Sequence, residues 1–454
     1  MLQSVLMAAF VGVGSVLAQK CSAGNQCPEK APCCSQYGEC GVGAYCLGGC
    51  DPRHSFSMDS CVPAPTCKDV DFKFDTKDGI VSIDDYLGDA DKASWVRSGE
   101  TALYNDYTLL TMPKGSTGTV LSSTSYMWYG NVKARMKTAR GRGVISGFIL
   151  FSDIQDEIDY EWIGVDLETA QTNFYFQGVT DYTNSENISL SDTFHNWHDY
   201  EIRWTPDKIE WLVDGQVGRT KERKDTWNET SQNWQFPQTP ARVQLSIWPG
   251  GLESNPKGTI EWAGGLIDWN AEDIQNSGYF WASVESVSIE CYDGKDGIGT
   301  NNGKSYWYDD DRYTNDTVVD GDKKHILATL QGTGTDLDKG KKDDEDDGKD
   351  DDDNDDDDSD DPAETTVAAQ IPGGGNGAPG NDHHGGDDEG SSDDGGSGDG
   401  NTVNTPNSNN PCSDVSKFCT GDDEGSSGND DSSGTKSRAS MLAIVIAGAA
   451  LFWL

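Results

Sequence analysis

The stretch of this 454-residue chain most able to do chemistry is Asp156-Glu-Ile-Asp-Tyr-Glu-Trp162. Polar and apolar residues alternate in it. On a β-strand that period places Glu157, Asp159 and Glu161 on one face and Ile158, Tyr160 and Trp162 on the other. The apolar set can enter a core while the three acids line the opposite face. Three like charges side by side are unfavourable, so a proton is retained among them. Glycoside cleavage uses that condition. One carboxylate attacks the anomeric carbon, and one protonated acid donates to the leaving oxygen. Asp159, between the two, can hydrogen-bond one neighbour and hold their pKa values apart. The competing reading is a strand face that is acidic and merely solvated. Strongly apolar runs on either side predict a central strand and weigh against it.

Strand geometry sets a condition. Residues i and i+4 on a flat strand lie about 13 Å apart at Cα. A retaining pair needs its carboxyl groups ~5–5.5 Å apart. The sheet must therefore curve, with both Glu side chains leaning over Asp159. A concave sheet face would also make a groove for a long glycan.

The elements that position these residues are short and apolar. Residues 67–292 carry Val144-Ile-Ser-Gly-Phe-Ile-Leu-Phe151, Thr172-Asn-Phe-Tyr-Phe176 and Ala241-Arg-Val-Gln-Leu-Ser-Ile-Trp248. Turn signals separate such runs, among them Asp214-Gly215, a strong hairpin signal, and Trp248-Pro-Gly-Gly251. No long helical periodicity appears. The pattern predicts an all-β sandwich of many strands in one domain. Cys67 opens it and Cys291 closes it. A bridge between them would clamp first and last strands, although sequence alone does not fix that pairing. Trp248 falls at a strand end beside a loop, where its ring can stack on a pyranose.

Residues 67–292 resemble the fungal Crh cell-wall transglycosylases of glycoside hydrolase family 16. The residues that carry the resemblance are Asp156-Glu-Ile-Asp-Tyr-Glu-Trp162, Thr172-Asn173, Tyr129-Gly130, Ser246-Ile-Trp-Pro-Gly-Gly251 and Gly258-Thr-Ile-Glu-Trp-Ala-Gly-Gly265. The resemblance implies a β-jelly roll and a retaining mechanism. It makes Glu157 the nucleophile, Asp159 its auxiliary and Glu161 the general acid/base. It also implies that Gln244, Trp248 and Thr259 contact the glycan alongside Glu161.

Residues 20–66 are a different kind of segment. Between Cys21 and Cys61 they are too poor in apolar residues to build a core, so disulfides must hold them. Cys21, Cys27, Cys33-Cys34, Cys40 and Cys46, with Ser35-Gln-Tyr-Gly38 between, resemble the hevein-type chitin-binding module of carbohydrate-binding family 18. The resemblance implies the bridges Cys21–Cys34, Cys27–Cys40 and Cys33–Cys46. It has Ser35 bind an N-acetyl group while Tyr37 and Tyr45 stack on sugar rings. Cys50 and Cys61 can form a fourth bridge. Glu39 stands where such modules often place a second aromatic, and the loop before Tyr45 is one residue shorter.

The ends carry processing signals. Residues 1–19 read as a secretory leader, apolar with small residues at its end but without a leading cation. Residues 293–440 are rich in Gly, Asp and Ser and read as a disordered acidic stalk. Within it Cys412 and Cys419 are spaced to close a small loop. Residues 441–454 form an apolar tail behind a polar spacer, as in a glycosylphosphatidylinositol signal, with Ser432 the candidate attachment site. Twelve cysteines then lie in an oxidising compartment. Asn187, Asn228 and Asn315 head glycosylation triplets. The net charge of -44 comes mostly from the stalk, and it excludes nucleic acid as a partner. No cofactor or metal is expected, and the chain reads as a monomer.

Three functions fit. The leading one is a cell-surface, lipid-anchored transglycosylase that cleaves chitin and joins it to β-glucan. A plain chitinase or β-glucanase would use the same carboxylates. A non-catalytic chitin-binding wall protein is the third.

Overall fold

The structure is a computed structural model and describes residues 19–295 and 297–341. The leader (residues 1–18 of it), the Cys412/Cys419 loop, Ser432 and the apolar tail lie outside them.

Period-two patterning builds two largely antiparallel sheets of eight strands each, packed face to face in a jelly-roll-type sandwich. The strands of the sheet that bears the acids are β1 (Ile80–Ser82), β2 (Trp95–Ser98), β3 (Thr119–Ser123), β4 (Val144–Ser152), β5 (Glu157–Ile163), β6 (Thr169–Tyr175), β7 (Glu186–Ser189) and β8 (Ala241–Pro249). Their spatial order is β7-β6-β5-β4-β8-β3-β2-β1, with β1 and β2 parallel. The acid strand β5 therefore lies well inside the sheet, as its apolar neighbours predict. The second sheet is built on Gly130–Lys137, His198–Trp204 and Tyr279–Cys291.

Between the sheets, Ile158, Tyr160 and Trp162 of β5 pack with Phe148 and Leu150 of β4, Val243, Leu245 and Ile247 of β8, and Tyr200 and Trp204 opposite. All are essentially without solvent contact. The Tyr160 hydroxyl donates to the Leu212 carbonyl at 2.9 Å. Trp211 Nε1 donates to the Asp159 carbonyl at 3.0 Å. β5 is thus pinned from behind, which fixes the direction in which its other face points.

Among the described residues there are five disulfides: Cys21–Cys34, Cys27–Cys40, Cys33–Cys46, Cys50–Cys61 and Cys67–Cys291. The last joins the two ends of the sandwich, as expected of a clamp.

The expectation of a disordered stalk from residue 293 is corrected. Ser305–Tyr308 pairs with Val318–Gly321 and with Ala64–Pro65 in a three-stranded sheet. Beyond it, Leu327 is buried with Tyr45, Leu47 and Val62 of the N-terminal unit and Tyr86, Ala93 and Val96 of the sandwich. The segment is polar on average, so composition hides it. Tyr306, Val318 and Leu327 are nevertheless buried. The N-terminal unit is consequently not a bead on a linker. It shares one small core with the sandwich and with this strap.

Candidate active site

The register of the acid-bearing sheet puts the chemistry into rows. Glu157 stands between Phe151 of β4 and Tyr175 of β6, with Arg242 of β8 beyond Phe151. Asp159 stands between Ile149 and Asn173, with Gln244 beyond Ile149. Glu161 stands between Gly147 and Gln171, with Ser246 beyond Gly147. Gly147 has a local reason: a Cβ there would come within 2.7 Å of Ser246 Oγ, beside the Glu161 row.

The acids are recessed. Asp159 is 1% exposed and Glu161 6%, while Glu157 is half-buried. Burial pushes the Glu157 carboxyl up to about 7, and a hydrogen bond from Asp159 holds it back from rising further. Burial, reinforced by the Glu157 charge, pushes Glu161 up to about 8. Burial and then the charges of both Glu neighbours raise Asp159 well above the carboxylate range. The ordering has a chemical meaning. Glu157 ionises first, and Asp159 stays protonated and donates to it. Glu161 keeps its proton at neutral pH. A carboxyl that ionises more readily and one that holds its proton longer thus sit on one strand, with Asp159 between them. Asp159 Oδ1 is buried without a hydrogen-bond partner.

Asp156, the first acid of the run, has a structural task. Its carboxylate accepts from the backbone N–H groups of Gln177, Gln238 and Thr239 and from the Thr239 hydroxyl, at 2.7–3.1 Å. It fastens two loops behind the start of β5.

The other expected contacts divide. Trp248 lies on the acid-side face of β8, half-buried, and stacks on Trp262 with ring centres 5.9 Å apart and planes 27° apart. Trp262 Nε1 in turn donates to Gln171 Oε1 at 2.9 Å. Gln244 shares the Asp159 row, as required. Thr259 lies in the short helix Lys257–Trp262 and is fully buried. The Pro249-Gly-Gly turn folds this helix back over the end of the sheet, and the side chain that reaches Trp248 is Trp262. Period-two reading of Gln171-Thr-Asn-Phe-Tyr175 could have found Gln171, Asn173 and Tyr175. Asn173 Nδ2 donates to the Tyr175 hydroxyl at 2.7 Å, and the fields of all three acids reach that phenol.

The N-terminal unit departs from expectation at two of its three contacts. Tyr45 is 3% exposed and part of the shared core, so it cannot stack on a sugar there. Ser35 is 3% exposed, and its Oγ accepts from the backbone of Tyr37 and Glu39 at 3.3 Å. Tyr37 remains half-exposed. Asn187 is exposed on β7 and Asn228 half-buried. Asn315 is tied down, its Nδ2 donating to the Tyr129 hydroxyl at 3.2 Å with Thr317 buried behind it.

Residues 89–264 match the model of the glycosyl hydrolases family 16. The chain is 61% identical to Crh-like protein 3 of Botryotinia fuckeliana over 75% of its own length and 76% of the relative's. It is 48% identical to Congo red hypersensitive protein 2 of Saccharomyces cerevisiae over 70% and 69% of the two chains. Against Crh-like protein UTR2 of Candida albicans the values are 46%, 73% and 71%. Among solved structures, the apo Crh5 transglycosylase matches at 30% identity and a TM-score of 0.49, over 60% of this chain and 99% of that one. Similarity of this depth, over more than two thirds of several relatives, shows that the chain belongs to the Crh-like proteins and that its sandwich is a glycosyl hydrolases family 16 domain.

Proposed function

We propose that this chain is a fungal cell-wall transglycosylase that cleaves chitin by retaining double displacement and transfers it to β-glucan. The observation that carries the reading is the recessed Glu157–Asp159–Glu161 row, with its staggered protonation. Glu157 attacks the anomeric carbon while Glu161 protonates the leaving oxygen. Glu161, now ionised, then takes the proton of an acceptor hydroxyl, and that oxygen displaces Glu157 with a second inversion. Asp159 donates to Glu157 and restrains its charge until attack. Trp248, backed by Trp262, offers a ring to stack on a pyranose, and Gln244 a polar contact.

Secretion, glycosylation at Asn187 and Asn228, and a lipid anchor at Ser432 belong to the same proposal. An anchored enzyme meets its polymers at raised effective concentration. Chitin oligosaccharides plus a fluorescent β-glucan oligosaccharide test the reaction. A labelled hybrid product supports it. New reducing ends with no labelled hybrid would make the enzyme a hydrolase. No turnover at all would leave a wall-binding protein.

A further inference from the structure

The Ser35-Gln36-Tyr37 turn of the N-terminal unit reaches the acid-bearing sheet. Gln36 Oε1 accepts from Arg242 Nη2 at 2.9 Å and from Gln244 Nε2 at 3.1 Å. Arg242 and Gln244 share the rows of Glu157 and Asp159, with only Phe151 and Ile149 of β4 between. Two strand spacings of ~4.8 Å set this contact about 10 Å across the sheet from the acids. A pair of pyranose rings fills such a span.

The contact is built into the fold. Gly48 and Gly49 lie against the Arg242 guanidinium, where a Cβ would come within 2.6 and 2.8 Å of its nitrogens. The Gly49 N–H donates to the Tyr126 hydroxyl and to Asp153 Oδ1, both at 2.9 Å. Arg53 Nη1 donates to the Gln177 carbonyl at 3.0 Å. The core shared by Tyr45, Leu47, Val62, Val96 and Leu327 anchors the unit from behind. The turn thus faces the sheet with the Gln36 amide, and the half-buried Tyr37 follows it in the chain. Amide and phenol beside a second amide, Gln244, are groups that recognise sugar hydroxyls and N-acetyl amides.

We propose that Gln36 is a specificity-determining residue of the cleavage site. With Gln244 it meets the sugar unit at the β8 end of the bound glycan and sets how many units bind on that side. The N-terminal unit then acts as the end wall of the site. This assignment rests on the reading of the acid row as a polysaccharide cleft.

The test is Gln36→Met, which keeps side-chain length and packing but removes the amide. Rates are measured on a ladder of chitin oligosaccharides with one fixed fluorescent β-glucan acceptor, then on a ladder of acceptors with one fixed donor. In the wild type, kcat/KM should climb with length and level off once the end unit meets Gln36. The variant should match wild type on members too short to reach the turn. On longer members of one ladder it should lose about 3- to 10-fold in kcat/KM, mostly through KM. Equal values at every length in both ladders would overturn the assignment. So would one uniform loss at every length, which is what a purely structural role produces. A wild type inactive on all donors would instead remove the cleft reading, and the assignment with it.

Discussion

Replacing Glu161 by Gln should make the protein more stable while making it inactive. The carboxyl is 6% exposed, and burial raises it from 4.5 to about 8. The native state therefore holds a proton that the unfolded chain releases, and stability falls as pH rises through this window. At pH 7 the gap of about 2.5 pH units above the unfolded value, at about 1.36 kcal/mol each, costs the fold ~3 kcal/mol. Gln has the same shape and no proton to lose, so the Glu161→Gln variant should recover about 1–3 kcal/mol at pH 7. At pH 4 the wild-type carboxyl is protonated in both states and the difference should vanish. Urea unfolding with disulfides intact, followed by Trp fluorescence at both pH values, reads this directly. Equal midpoints for variant and wild type at pH 7 would refute the claim that Glu161 is held protonated by its burial. A midpoint gap of the same size at both pH values would assign the gain to packing instead of to the proton.

Three further outcomes follow from the same geometry. Glu157→Gln should lower kcat by at least about 10³-fold, because no covalent intermediate can form, while thermal unfolding at pH 7 falls no lower than in the wild type; turnover near the wild-type rate would move the nucleophile elsewhere. The pH profile of kcat/KM should rise as Glu157 ionises and fall as Glu161 loses its proton, giving a peak above the ordinary carboxylate range; a peak near 4.5 would contradict the raised pair. Replacing Cys67 and Cys291 together by Ala should cost about 5 kcal/mol, from the unfolded-chain entropy of a loop closed across 224 residues, and a loss below ~1 kcal/mol in urea titrations would show the clamp to be dispensable.

What could be read from sequence divides by the range of the physical signal. The two faces of β5 were legible because strand alternation is local: seven consecutive residues state which side each acid takes. The same reading applied to β8 separates Val243, Leu245 and Ile247 from Arg242, Gln244 and Trp248, and the structure buries the first set between the sheets. It applies equally to β6, where Asn173 and Tyr175 lie on the acid side, although no motif marks them. Thr259 lies on a helix that no strand period governs, so alternation says nothing about which way it points. The chain leaves β8 through Pro249-Gly-Gly and turns back as a helix, which brings Trp262 to Gln171, the strand neighbour of Glu161.

The contacts of the N-terminal unit have no local signature. Gln36 and Gln244 are 208 positions apart, and nothing in Ser-Gln-Tyr-Gly tells an amide facing water from one facing a second domain. The same holds for Tyr45. A disulfide-stapled unit folds without a large core, so its aromatics are free to look outward, and an isolated reading leaves them there. Here Leu47, Val62 and Val96 supply an apolar surface that neither unit could bury alone, and the strap at Leu327 completes it. Once that surface is joined, the ring of Tyr45 belongs to the fold, and the Gln36 amide faces the acid-bearing sheet. The residues left over after packing are therefore those that can act on substrate. In this chain they point toward the cleavage site, not away from it.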